Sequence, residues 1–173
     1  LVAPGAGFGA AIGLRGATIV IAAAPLTLTL VGVLGVILSI IEVPWTPLSF
    51  GVGSLSIAIP ALLIWLLFGR PIMRMARLSV PGLLIGMAVV TGFTLATMIA
   101  LFPQPTLVAQ TFDNVFHLNA IRYVIDTGSA SSFTITGLTS GGQPPTFYPA
   151  GWHAYIALVT QTVDLATPGF TIP

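Results

Sequence analysis

Three long apolar runs constrain this sequence more than any other feature. They extend over Ala17 to Ile41, Leu48 to Phe68 and Gly82 to Phe102, and none of them contains a charged residue. Crossing a bilayer takes about 20 mainly apolar residues, so each run is long enough to form a membrane-spanning helix. Pro25 and Pro60 lie inside two of the runs, which spanning helices tolerate where neighbouring groups satisfy the freed carbonyls. The sequence therefore predicts an all-α fold, a polytopic transmembrane helix bundle.

Composition supports this fold class and excludes others. Apolar residues make up 55% of the chain and charged residues 5%, which is too little charge to cover the surface of a water-soluble domain. The net charge is +1 and no basic run occurs, so a nucleic acid is not an expected partner. The chain has no cysteine, so no disulfide framework is possible.

The arginines predict the orientation of the spans. Arg15 precedes the first run, and Arg70, Arg74 and Arg77 lie between the second and third. Positively charged loops stay on the cytoplasmic side of a membrane protein. The short loop after the first run and everything after the third run are then expected outside the cytoplasm.

Two regions follow from this topology. Residues 1–102 are predicted to form a transmembrane region of about three spans, with residues 1–13 too short to assign unless they end an earlier span. Residues 103–173 are predicted to form an extracytoplasmic loop that contains short juxtamembrane helices. The chain begins without an initiator methionine, and we interpret it as a piece of a longer multi-pass protein of the plasma membrane.

A polar segment, Gln110 to His153, follows the third run and contains both histidines of the chain. Its first part predicts a helix from about Phe112 to Thr127 that ends at Gly128 in a left-handed conformation. Because successive helical residues are rotated by about 100°, Asp113 and His117 share one face of this helix. Most of its circumference is apolar, which is typical of a helix that lies on a membrane surface or against other helices.

The rest of the polar segment predicts a loop and a second helix. Arg122 and Asp126 are spaced to form an i,i+4 ion pair on the opposite side of the first helix. Residues 129–147 are rich in Ser, Thr, Gly and Pro, which indicates a flexible exposed loop. A short helix is expected over Trp152 to Asp164. The three tryptophans, Trp45, Trp65 and Trp152, are expected near the membrane interfaces, as in an aromatic belt.

Four side chains of the polar segment are candidates for a site, and each also has a structural interpretation. Asp113 is either a helix cap, for which Thr111 competes, or a carboxylate at the mouth of a cavity. His117 alone is typical of a partnered structural histidine, and with Asp113 it lacks the third ligand that a metal site needs. Tyr148 is either an interfacial anchor or part of the site. His153 faces either lipid headgroups or the site.

One further motif, Asp126-Thr127-Gly128, resembles the active-site turn of aspartic proteases. That chemistry needs two facing carboxylates that share a proton. The tripeptide occurs once in the chain, and the sequence before it has helical rather than strand periodicity. A protease that binds pepstatin-like inhibitors is therefore the weakest of the functional interpretations.

Three parts of the polar segment together resemble the first large external loop of GT-C-type glycosyltransferases. They are Asp113-Asn114-Val115-Phe116-His117, the run Asn119 to Gly128, and Tyr148-Pro149 to His153. The resemblance is closest to a poorly characterised group of polytopic bacterial membrane proteins. It is specific over Gln110 to Asp164 and extends to the preceding spans only as a general match of hydropathy. The acid-x-acid pair of some relatives is absent, since residue 112 is Phe and residue 114 is Asn.

This resemblance implies the transfer of a sugar from a polyprenyl-phosphate donor to a glycan or protein acceptor, at the outer face of the membrane. Asp113 would then be the catalytic residue, as general base or orienting group. His117 would bind donor phosphate or acceptor, and Tyr148 and His153 would line the cavity. The resemblance leaves open whether a divalent metal is needed. The alternative, from another class, is a non-catalytic membrane component that binds or exports lipid-linked polysaccharide.

Overall fold

The structure is a computed structural model that describes residues 2–69, 80–101 and 112–166. Within these ranges all regular secondary structure is helical, as predicted. In chain order the helices are α1 (Ala3–Ala11), α2 (Ala17–Ile40), α3 (Pro47–Phe68), α4 (Val80–Leu101), α5 (Phe112–Thr127) and α6 (Gly151–Ala166), with a short 3-10 helix over Ile135–Leu138 between the last two.

Helices α2, α3 and α4 confirm the three predicted apolar helices, with ends that differ by two residues or fewer. All three are long and apolar enough to cross a membrane. Helix α4 is exposed along almost its whole length and presents large apolar side chains such as Phe93 and Ile99. By length and composition, therefore, the chain is a membrane protein.

Local signals explain where α3 begins and ends. The Thr46 hydroxyl accepts a hydrogen bond from the Ser49 backbone N–H (3.1 Å), and the Ser49 hydroxyl accepts one from the Thr46 N–H (2.9 Å). This reciprocal capping satisfies backbone donors that the first turn of a helix leaves free, and Pro47 supplies a first residue that needs no partner. Gly69, which follows the last residue of α3, has a φ of 51°, as expected at the end of a helix.

Residues 1–13, which the sequence left unassigned, contain the nine-residue helix α1. Helix α1 packs closely on α2, because the Gly5 N–H donates to the Thr27 hydroxyl (3.0 Å) and a Cβ at Gly5 would overlap the Ala23 carbonyl. Just beyond α1, the Arg15 guanidinium lies 4.9 Å from the centre of the Trp65 ring on α3. Arg15 is thus at the end of α3 that leads to Arg70, Arg74 and Arg77, which lie outside the described residues.

Helix α5 has the predicted bounds, and Gly128 follows it with a φ of 68°. The prediction of a flexible exposed loop over residues 129–147 is wrong for its first part. Ile135 is buried there with 1% of its surface exposed. Ser132 connects this stretch to the start of α6, because its carbonyl accepts from the Tyr148 N–H (2.8 Å) and its hydroxyl accepts from the Ala150 N–H (3.1 Å). We call α5, the connecting residues 128–150 and α6 the polar unit.

The polar unit packs on the corner between α2 and α3, which we define as residues 41–46. Trp45 makes three hydrogen bonds across this contact: its N–H donates to the Gly128 carbonyl (2.8 Å), its indole N–H donates to the Ala154 carbonyl (3.0 Å), and its carbonyl accepts from the Gln161 amide (3.1 Å). On α2 itself, Gly35 leaves room for the Ala130 carbonyl, which would lie 2.7 Å from any Cβ at residue 35.

Trp45, which the sequence predicts near a membrane interface, is a core residue of the protein and not an exposed anchor. Its side chain is 1% exposed and lies in the hydrophobic core, in contact with the Phe50 ring at 5.5 Å. Burial is possible here because the indole N–H has an acceptor, which a buried tryptophan normally needs. Trp152, in contrast, is 53% exposed.

Candidate functional site

The centre of the candidate site is a direct contact between the two histidines, which we call the histidine pair. His117 Nδ1, on α5, lies 2.9 Å from His153 Nε2, on α6, although the two residues are 36 positions apart in sequence. Small side chains let the helices approach closely enough for this contact. Ala120 on α5 and Ala154 and Ala157 on α6 are all fully buried.

Three aromatic rings surround the histidine pair, and we call them the aromatic shell: Phe116, Tyr148 and Trp152. Tyr148 lies 5.8 Å from the His153 ring and 5.2 Å from Phe116, and Phe116 lies 6.0 Å from His153. Trp152 lies 5.6 Å from His117 and 5.1 Å from His153. Most of these rings meet at steep angles, the arrangement in which the positive edge of one ring faces the negative face of another.

His153 is the buried member of the pair. Only 2% of its surface is exposed, and its second ring nitrogen, Nδ1, is buried without a hydrogen-bond partner. A buried polar atom without a partner is costly and requires an explanation, such as a ligand or an ordered water. The sequence left open whether His153 faces lipid headgroups or a site. The structure places its ring in the protein interior.

Burial, together with the proximity of His117, lowers the pKa of His153 from its ordinary value of 6.5 to about 4. The imidazole is therefore neutral at neutral pH and carries one proton. Because one hydrogen lies between His117 Nδ1 and His153 Nε2, the position of that hydrogen decides whether His153 Nδ1 is a donor or an acceptor.

This pKa predicts that the fold loses stability in mild acid. Between about pH 6.5 and pH 4 the unfolded chain binds a proton on His153 that the folded chain does not, so the free energy of unfolding falls as the pH falls through this window and then levels off. The contribution is on the order of 3 kcal/mol at most. It is measured as the thermal melting temperature of purified protein across this range, for the wild type and for His153→Phe.

The comparison with His153→Phe separates this histidine from the four acidic residues of the chain, Glu42, Asp113, Asp126 and Asp164. The phenylalanine variant should show a flatter dependence of melting temperature on pH. An identical slope in the two proteins would show that His153 is not responsible.

The structure brings together three of the four predicted site residues: His117, Tyr148 and His153. The fourth, Asp113, is exposed in the first turn of α5, one turn before His117. Its side chain is thus exposed, four residues before His117 on the same helix. Thr111, which competes for the role of helix cap, lies outside the described residues.

Two other predictions for the polar segment can be compared with the structure. Arg122 Nε lies 2.8 Å from Asp126 Oδ2, which confirms the i,i+4 ion pair, and both side chains are exposed. Asp126 lies in the last turn of α5. An aspartic protease would need Asp126-Thr127-Gly128 to form an active-site turn instead. Among the described residues, no group of three His or acidic side chains is arranged to hold a metal ion.

Sequence reasoning named both histidines and Tyr148 as candidates, but it missed the contact between the two histidines and treated Trp152 as a membrane anchor. One signal was available. Ala150, Ala154 and Ala157 recur at helical spacing, and all three are fully buried. A stripe of small residues of this kind marks the face along which another helix approaches, and His153 lies within it.

Comparisons with known proteins give the chain a family but no activity. No curated protein and no solved structure matches it. Residues 1–170 match the family DUF6541, which is described as a family of unknown function. Since this match covers nearly the whole chain, the protein belongs to the DUF6541 family.

Proposed function

We propose that this protein is a polytopic glycosyltransferase of the plasma membrane that transfers a sugar from a polyprenyl-phosphate donor to a glycan or protein acceptor. Residues 103–173 are extracytoplasmic in this proposal, and the partners are membrane lipid, the lipid-linked donor and the acceptor. The observation that carries the proposal is the contact of 2.9 Å between His117 and His153. It joins two parts of the polar segment into one site beside the exposed carboxylate of Asp113.

The packing of the polar unit supports the proposal that the site and the α2–α3 corner lie on the same side of the membrane. The hydrogen bonds of Trp45 to Gly128 and Ala154 hold the polar unit at the end of α2 and the beginning of α3. Arg15 lies at the other end of α3, beside Trp65. If arginines mark the cytoplasmic side, the site is on the outer side, where lipid-linked sugars are used in this proposal.

Each site residue has a role in the proposed reaction. An oxygen of the acceptor hydroxyl forms a bond with the anomeric carbon of the donor sugar, and the bond from that carbon to the phosphate oxygen breaks. The polyprenyl phosphate leaves with the electron pair, and Asp113 takes the proton of the hydroxyl. His117, His153 and Tyr148 bind the substrate beside it.

Transfer itself is the direct test. Full-length protein in proteoliposomes, supplied with polyprenyl-phosphate sugars labelled in the sugar and with cell-envelope glycan, should move the label from the lipid to the glycan. A protein that binds the labelled lipid but never releases its sugar would instead support the non-catalytic alternative, a component that binds or exports lipid-linked polysaccharide.

Cysteine labelling tests the orientation. The chain contains no cysteine, so single cysteines can be introduced at Phe133, an exposed residue of the polar unit, and at Arg15, an exposed residue at the other end of the bundle. In intact cells, a membrane-impermeant maleimide should label Phe133→Cys, and it should label Arg15→Cys only after permeabilisation. The reverse pattern would place the polar unit in the cytoplasm and contradict the proposal.

A further inference from the structure

The charges around the histidine pair limit the ligand that it can bind. Helices α2 and α3, which pack against the polar unit, contain no ionisable side chain. On α5, Arg122 is about 140° around the helix from His117 and forms an ion pair with Asp126. The charged group nearest to His117 along its face of the helix is the acid Asp113. Apart from the histidines themselves, the described part of the site therefore offers no cation to a phosphate, and the carboxylate of Asp113 would repel it.

His153 does not supply the missing charge, because burial keeps its imidazole neutral at neutral pH. The His153 ring then has one nitrogen left to donate or accept a single directional hydrogen bond, namely Nδ1, the buried atom without a partner. A hydroxyl group fits either state of that nitrogen, because it can both accept and donate. A phosphate diester oxygen only accepts.

Trp152 adds an apolar surface at the same place. Its ring lies 5.6 Å from His117 and 5.1 Å from His153, yet 53% of its surface is exposed. An exposed aromatic face beside hydrogen-bonding groups matches the surface of a sugar ring, which has apolar C–H faces and hydroxyls around its edge. Phosphate has no apolar face to place there.

We infer that His117, His153 and Trp152 form a subsite for a neutral sugar ring, and that the phosphate of the lipid-linked donor is bound elsewhere. The ring stacks on Trp152, and one of its hydroxyls bonds to His153 Nδ1. This inference rests on the proposed function. There His117 binds either the donor phosphate or the acceptor, and here it binds a sugar ring. The ring belongs either to the acceptor or to the donor, since both present the same chemistry.

Equilibrium binding to the full-length protein in nanodiscs tests this subsite. The probes are hexyl glycosides of glucose, galactose, mannose and arabinose, compared with monohexyl phosphate, so that the apolar tail is constant. At least one glycoside should bind, and Trp152→Ala and His153→Phe should each weaken it about tenfold, the loss expected for one hydrogen bond or one aromatic contact. Phe133→Ala, which removes an exposed ring whose aromatic contact is with Phe147, should bind normally.

Because His153 is buried, its substitution could disturb the fold, and two measurements guard against this. His153→Gln keeps a polar group at the position and should weaken the glycoside less than phenylalanine does. Trp152 is exposed, so Trp152→Ala should elute as the wild type does in size-exclusion chromatography. Glycoside binding that neither Trp152→Ala nor His153→Phe changes would overturn the inference, as would binding of monohexyl phosphate that both variants abolish.

A competition experiment identifies the source of the sugar. If saturation with a polyprenyl-phosphate sugar displaces the glycoside, the subsite takes the donor's sugar. If the glycoside stays bound, the subsite takes the acceptor. Binding needs no turnover, so the two proposals can fail separately. If the protein binds glycosides through Trp152 and His153 but transfers no sugar, the proposed reaction is contradicted and the subsite is supported. If the wild type transfers sugar but both variants bind the glycoside as the wild type does, only the subsite is contradicted.

Discussion

Asp113→Asn should reduce sugar transfer by the full-length protein by about 10²–10⁴-fold, which is the usual contribution of a general base. The amide has nearly the same shape as the carboxylate but cannot take the proton of the acceptor hydroxyl. Because Asp113 is exposed in the first turn of α5, the change should leave folding and membrane insertion unaltered. Initial rates of label transfer from polyprenyl-phosphate sugars measure the effect.

The matched control is Asp126→Asn. Asp126 is an exposed acid on the same helix, but it is about 180° from His117 and pairs with Arg122. Its loss removes an exposed ion pair, which typically contributes less than about 1 kcal/mol, and transfer should stay close to the wild-type rate. Equal losses in the two variants would indicate a general effect of charge, and unchanged transfer in Asp113→Asn would remove Asp113 from the mechanism.

Trp45→Ala should destabilise the protein by about 3–5 kcal/mol, the range for truncating a large buried aromatic side chain. The change leaves a cavity beside Phe50 and takes away the donor that the Ala154 carbonyl uses (3.0 Å). The polar unit should then separate from the α2–α3 corner before the apolar helices unfold. Thermal unfolding in detergent and limited proteolysis within residues 128–150 measure the two effects.

Two variants separate the causes. Trp45→Phe keeps much of the packing but lacks the indole N–H, and it should lose about 0.5–1.5 kcal/mol, the usual net contribution of one hydrogen bond. Trp152→Ala removes the same side chain from an exposed position and should change the melting temperature little. If Trp45→Ala melts like Trp152→Ala, the corner does not hold the polar unit.

The sequence predicted the parts of the fold that depend on local pattern. The apolar runs located α2, α3 and α4 to within two residues. Gly128 and the residues before it located the end of α5, because a left-handed residue after a helical pattern is a local signal. The pair Arg122 and Asp126 followed from helical spacing alone. These features need no knowledge of which helices meet.

The sequence did not predict contacts between distant segments. Trp45 was placed at a membrane interface because its residue type is common there, yet its indole bonds to Ala154 more than 100 residues later. The loop after Gly128 looked flexible from its composition, but Ser132 and Ile135 find partners and burial that composition does not reveal. Both histidines were recognised as candidates. Their contact depends on the α5–α6 packing, which no local pattern specifies.

The three hydrogen bonds of Trp45 also bear on how a substrate can enter. They join Trp45 of the α2–α3 corner to α6 and to the residue after α5, so α2, α3 and the site should move as one rigid body. Access to the buried nitrogen of His153 therefore should not come from a hinge between them. A rotamer change of the exposed Trp152 ring is the smaller movement that could admit a ligand.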